Sequence, residues 1–152
     1  MSRANTHGVI NHDHPSTRKT DYLYRVSLKC LGRNERGEIL VVRETGRKHW
    51  DLPGGGMDHH EALKAAIARE MKEEVNLTGD FSYKIIAVDE PAYLSAHNFW
   101  QIRLVFAVTS QTMAFSAGED GDEIAFMAPG EFANSQSVTE RKILAYSQII
   151  AA

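Results

Sequence analysis

From Tyr22 onward apolar and polar residues alternate, with Tyr22, Tyr24, Val26, Leu28 and Cys30 on one side and Arg25, Ser27 and Lys29 on the other. That period of two predicts a half-buried strand over residues 22–30. Turn chemistry between Gly32 and Gly37 separates it from Glu-Ile-Leu-Val-Val-Arg at 38–43, which predicts the returning strand of a hairpin. Trp50-Asp51-Leu52 then leads into Pro53-Gly54-Gly55-Gly56, a loop that must bend sharply and let something approach its backbone. The period changes after Asp58: Leu63, Ile67, Met71 and Val75 recur every four residues, predicting a helix over 61–75 with Asp58 and Glu61 as its capping pair. Strands are predicted again at 83–89 and 98–109, where Trp100, Ile102, Leu104, Phe106 and Val108 share one face. A short strand at 123–127 follows the acidic run Glu119-Asp120-Gly121-Asp122, and a helix at 138–150 is introduced by Ser137 and Glu140.

Residues 1–20 hold His7, His12, His14 and Pro15 with no apolar period, so the chain divides into a flexible N-terminal leader, 1–20, and one domain, 21–152. Strands alternating with two convincing helices point to an α/β fold, an α/β/α sandwich around a mixed sheet. At 152 residues one core is the natural limit.

Composition narrows the function. Hydrophobic residues at 43% and charged residues at 24% describe a globular chain. The net charge of −3 argues against sequence-independent nucleic-acid binding, which needs a basic excess to neutralise phosphates. A single cysteine, Cys30, excludes a disulfide framework and a thiolate cluster. The longest central apolar run, Leu104 to Val108, is far short of a membrane span, and the polar N-terminus lacks a secretory signal, so a cytoplasmic location is expected.

The chemistry concentrates in Arg69-Glu70-Met71-Lys72-Glu73-Glu74. At 100° per residue Glu70 and Glu74 stand one turn apart with Glu73 on the adjoining arc. Like charges so spaced cost roughly 0.2–0.5 kcal/mol per pair, a penalty that a divalent cation removes. Carboxylate oxygens on a rigid helix suit Mg2+, with Mn2+ as a substitute. Such an ion would acidify water and neutralise a diphosphate, while a free carboxylate serves as general base. Arg69 can fix one glutamate through its planar fork. Side chains at Gly54 and Gly55 would hold ligand and metal away from the main chain, and the Gly55 carbonyl could face the cation.

Read together, Gly55, Glu61, Arg69, Glu70, Met71, Glu73, Glu74 and Leu77 follow Gly-x5-Glu-x7-Arg-Glu-U-x-Glu-Glu-x-Gly-U, where U is apolar, except that Asn76 stands in place of the last glycine. This resembles the Nudix box, and Trp50 to Pro53 before it and Asp122 to Phe132 after it extend the resemblance to a single-domain Nudix hydrolase. The resemblance implies the sandwich fold and hydrolysis of a phosphoanhydride bond in a nucleoside diphosphate linked to another moiety. It implies that Glu70, Glu73, Glu74 and the Gly55 carbonyl hold metal and that Glu61 and Arg69 brace loop and helix. The base would be Glu70 or Glu73, or a residue of the 119–123 loop, where Glu119 and Glu123 are candidates. Asparagine tolerates the left-handed backbone that the missing glycine would adopt.

Substrate clues lie outside the box. Tyr93 is sixteen positions past Leu77, as in relatives that act on dinucleoside polyphosphates, while Pro91 sits where ADP-ribose hydrolases tend to carry proline. Trp50, Tyr24, Phe99 and Trp100 either stack on a base or fill the core. Gly54, Trp50 and Tyr93 therefore join Glu119 and Glu123 as candidate substrate contacts. Two rivals remain: a non-catalytic nucleotide sensor, which commonly loses the box carboxylates, and an RNA 5′-end pyrophosphohydrolase, which requires a basic patch. An isoprenoid diphosphate isomerase would need a catalytic cysteine, and Cys30 lies on the apolar face of its strand. A small-molecule nucleotide is the expected partner, with no membrane and no nucleic acid; hydrophobic strands such as 99–108 could equally serve a homodimer.

Overall fold

A computed structural model describes residues 3–4, 8–14, 18–111, 115–118 and 123–150. In chain order the strands are β1 (Arg3–Ala4), β2 (Val9–Asn11), β3 (Thr20–Tyr22), β4 (Arg25–Gly32), β5 (Ile39–Arg43) and β6 (Gly54–Gly56). Helix α1 (Leu63–Val75) follows, then β7 (Phe81–Val88), β8 (Ala92–Leu94), β9 (Phe99–Ser110), β10 (Glu123–Met127), a short 3-10 helix (Pro129–Phe132) and α2 (Val138–Ile150).

The main sheet runs β6-β4-β9-β7, with β8 on the outer end of β9. Strands β4 and β9 are parallel, Leu28 opposite Leu104 and Cys30 opposite Phe106, and every other pairing in that sheet is antiparallel. Parallel neighbours need a long crossover, and α1 travels within it. Alternation along the strands sends side chains to two cores. Leu28, Cys30, Leu40, Phe106 and Val108 pack with Ala66, Ile67, Met71 and Val75 of α1. Leu31, Ile39, Val41, Val105 and Leu52 pack with Ile143 and Tyr146 of α2. One helix on each side of a mixed sheet is the α/β/α sandwich expected from the pattern.

Three local expectations change. The strand at 39–43 pairs with β10, Leu40 opposite Phe126, and forms no ladder with β4; a single bridge joins Arg33, just past β4, to Ile39. Both edges of β4 are already taken, by β6 and β9, so no hairpin ladder can form. Residues 1–20, expected to hold no regular element, contribute β1, β2 and part of β3, a polar antiparallel sheet whose shortness gave no periodic signal. The start of the 22–30 pattern is also outside the core: Tyr22 and Tyr24 are exposed, and Trp100 is exposed at the far end of β9, edge-on to Tyr24 at 6.4 Å between ring centres.

Candidate active site

Burying the Ile67, Met71 and Val75 stripe of α1 turns the adjoining Glu70 toward β6, where it is 7% exposed. A Cβ on Gly55 would lie 2.8 Å from both Glu70 carboxylate oxygens, so only glycine lets this carboxylate rest on the main chain. One turn later Glu74 accepts a hydrogen bond from the Gly54 N–H at 2.9 Å. Gly54 has φ of 142°, and a side chain there would strike the Leu28 carbonyl of β4. The glycine run is thus strand β6, read beforehand as a loop because glycines carry no side-chain pattern.

Arg69 ties the assembly together. Its Nε and Nη2 donate to Glu61 at 2.7 and 2.8 Å, and its Nη1 donates to Glu70 at 2.8 Å and to Glu73 at 3.5 Å. Nη2 also reaches the Gly56 carbonyl at 3.2 Å. Glu61 was expected inside the helix; it precedes α1, whose first residue is Leu63, and its carboxylate is spent on Arg69 and on the Asp58 N–H. Asp58 does not cap the helix: the cap position is Ala62, without a side-chain bond.

The same contacts set the acidities. Hydrogen bonds from Arg69, then from the Asp58 N–H, hold the Glu61 carboxyl down to about 2. Burial pushes Glu70 above the usual carboxylate range against the pull of Arg69, with the Glu73 charge adding to the rise. Burial likewise pushes Glu74 up to about 7, opposed by the Gly54 N–H and Lys29 and assisted by the charges of Glu70 and Asp51. Carboxylates that raise one another in this way gain from a cation between them.

The carboxylate donors fit a hard divalent ion, and the Gly55 cradle leaves the Glu70 oxygens against the main chain. Among the described residues, however, no three acidic, histidine or cysteine side chains already form a closed ligand group. Glu70 and Glu73 share Arg69, while Glu74 turns to Gly54. Gathering them around one ion would require these side chains to move.

A cleft of about 570 Å³ reaches this end at Gly54 and Glu74. Its other walls carry Lys29, Arg43, Arg47, Lys48 and His49 beside the acids Glu44 and Asp51, with Trp50, Ser137 and Thr139; Arg47 pairs with Glu44 at 3.1 Å. The Arg43 guanidinium lies 4.2 Å from the Trp50 ring centre and pairs with Glu123 at 2.6 Å, so two of the candidate contacts meet through a cation that the sequence reading passed over. Lys29 pairs with Asp51 at 3.0 Å, and His49 with Glu140 at 3.3 Å. The signal was Arg-Glu-Thr-Gly-Arg-Lys-His at 43–49, hidden by a negative total charge. Tyr93 does not line this cleft; it sits on β8 with its ring 5.6 Å from Trp100 and its hydroxyl on Asn98. Glu119 lies outside the described residues. Cys30 is buried and its thiol is pushed up to about 12 by desolvation, which leaves it inert.

Comparison with known proteins adds an independent observation. A family model described as NUDIX domain matches residues 23–147. The chain belongs to the Nudix hydrolase family. An RNA pyrophosphohydrolase from Marinomonas sp. (strain MWYL1) is 41% identical over 54 residues, covering 36% of this Nudix chain and 34% of the relative. Nudix hydrolase 5 from Arabidopsis thaliana is 25% identical over 118 residues, covering 72% and 37%. These matches thus span little more than a third of either relative. In fold, the MutT protein from Methanosarcina mazei Go1 superposes with a TM-score of 0.68 at 24% identity, over 84% of this chain and 95% of that one. The departure from the Nudix box is accommodated: Asn76 ends α1 with φ of 57°, in the left-handed region that glycine would otherwise supply.

Proposed function

We propose that this Nudix protein, over a domain at 21–152, is a metal-dependent pyrophosphohydrolase that cleaves the diphosphate of a nucleoside diphosphate linked to another moiety. The observation that carries the reading is a cleft that holds Glu74, bonded to the Gly54 N–H, together with the cations Lys29, Arg43, Arg47 and Lys48, while Glu70 rests on Gly55 one helical turn away. Glu70, Glu73, Glu74 and the Gly55 carbonyl would hold Mg2+, or Mn2+ in its place. A bound divalent ion supplies positive charge at the diphosphate and acidifies water there. Arg69 orients Glu70 and Glu73, and Glu61 orients Arg69. Glu70 or Glu73 accepts the proton of the attacking water. Arg43, Arg47, Lys48 and Lys29 neutralise substrate phosphates, and Trp50, stacked under Arg43, gives the organic moiety an apolar surface. Glu123 holds Arg43 at that wall. A cytoplasmic location, a small nucleotide as partner and a homodimer complete the reading; no helix among the described residues is long and apolar enough to cross a membrane.

The test is a panel of nucleotide sugars, dinucleoside polyphosphates, ADP-ribose and nucleoside triphosphates incubated with Mg2+ or Mn2+. Turnover of one class supports the reading. Tight nucleotide binding without turnover would favour a non-catalytic sensor. The basic wall favours one second reading, removal of diphosphate from an RNA 5′ end; preference for a triphosphorylated oligonucleotide over every mononucleotide would select it.

A further inference from the structure

The carboxylates of the proposed cation site sit at the weakest part of their helix. The last four carbonyls of an α-helix have no partner within it, and the final turn frays unless they are satisfied. Glu73 and Glu74 both belong to that turn, since α1 ends at Val75. The Asn76 and Leu77 N–H groups take the Lys72 and Met71 carbonyls, each at 3.1 Å. The Glu74 and Val75 carbonyls are capped from a distant part of the chain: Gly118 N–H donates to the first at 3.0 Å and Ser116 N–H to the second at 3.3 Å. Phe115, packed on Phe126 at 6.1 Å between ring centres, anchors this segment to the core.

Two residues shape the attachment. A Cβ on Gly118 would lie 2.1 Å from the Glu73 carbonyl oxygen, so any side chain forces the segment away from the helix. Asn76, where the family's box has glycine, keeps the left-handed turn and adds a side chain whose Nδ2 donates to the Ser116 hydroxyl at 3.2 Å.

We propose that residues 116–118 are a positioning strap for the carboxylate helix, latched by Asn76, and that this strap sets the affinity of the Glu73 and Glu74 end for divalent cation. The proposal rests on the reading of that end as a cation site. Residues that orient ligands from outside are worth as much to metal affinity as many direct contacts. The strap holds backbone, so its loss should loosen the last turn of α1 while leaving β4 and β9 unchanged.

The experiment measures Mn2+ binding by titration and amide hydrogen exchange in the metal-free protein. Gly118→Ala should weaken Mn2+ about tenfold or more and accelerate exchange at residues 76–77, whose N–H groups close that turn, without altering exchange in β4. Asn76→Gly preserves the left-handed turn and removes only the latch, so it should weaken Mn2+ by about threefold. Ser116→Ala should match it, the double variant should be no worse than either single one, and Ser116→Thr, which keeps a hydroxyl, should bind as wild type. Wild-type Mn2+ affinity in Gly118→Ala would overturn the proposal; if that variant does not fold, additive losses in Asn76→Gly and Ser116→Ala would overturn it. Failure of the wild type itself to bind Mn2+ would instead remove the cation site, and with it the reading on which the strap depends.

Discussion

The two helices of the sandwich are the same length, 13 residues each, and cover opposite faces of one sheet, yet they are held in different ways. Helix α2 begins on an ordinary side-chain cap, Ser137 Oγ accepting from the Glu140 N–H at 3.3 Å; Ile143 and Tyr146 fill the core below, Tyr146 and Lys142 reach Asp89, and Arg33 reaches the Ser147 carbonyl. Helix α1 has no side-chain cap and begins abruptly after Ala62. Its ties to the rest of the fold run through the carboxylate region itself, from Arg69 to Glu61 and Gly56, from Glu74 to Gly54, and from its last turn to residues 116–118. The helix carrying the carboxylates is thus built into its surroundings at the positions where the chemistry is proposed. Changes there should couple stability to cation binding, whereas changes on α2 should alter stability alone.

The largest break in that contrast is Arg69→Ala. It strips Glu61, Glu70 and Glu73 of their common partner and leaves the buried Glu70 without its counter-charge, so unfolding by denaturant should show a loss of about 3 kcal/mol. A loss below about 1 kcal/mol would mean that Arg69 contributes no more than a surface pair. Acidity sharpens the contrast next. Glu74 is held up to about 7 in the folded chain against an ordinary value of 4.5, so the folded state binds more protons over that window. The metal-free protein should therefore lose stability as pH rises from about 4.5 to about 7. Cation binding needs the ionised carboxylate, so the gain in melting temperature from Mg2+ should grow over the same range. Melting curves with and without Mg2+ at several pH values check both, and a gain independent of pH would exclude Glu74 as a ligand.

The fold was legible where side chains carry a period. Strand β10 and helix α2 occupy the expected residues because alternation and a capping pair mark them. The box residues were legible because their spacing is read along one helix and one glycine-rich turn. The strand character of β6 was not, since three glycines have no faces to alternate and its conformation is imposed by pairing with Ser27 to Lys29 of β4. The basic wall escaped for another reason: the cations at 43–48 are masked by a negative total charge, and Lys29 joins them only in the folded chain, where β4 and the end of β5 line one cleft. Tyr93 shows the converse, a residue at a suggestive spacing that the β8 and β9 pairing carries elsewhere.

The smallest effects test the caps themselves. Ser137→Ala should cost about 1 kcal/mol in unfolding free energy without changing Mn2+ affinity. Ala62→Ser, giving α1 the cap it lacks, should gain about 0.5 kcal/mol, measured the same way; equal insensitivity of both helices would erase the distinction drawn between them.

Calorimetric titration of Mn2+ into the wild type and into Glu70→Gln, Glu73→Gln and Glu74→Gln measures whether these carboxylates hold a cation. The glycine-cradled end predicts binding by the wild type and a loss of about tenfold to a hundredfold in each variant. Variants that bind as the wild type does would contradict the assignment of these three carboxylates to a cation.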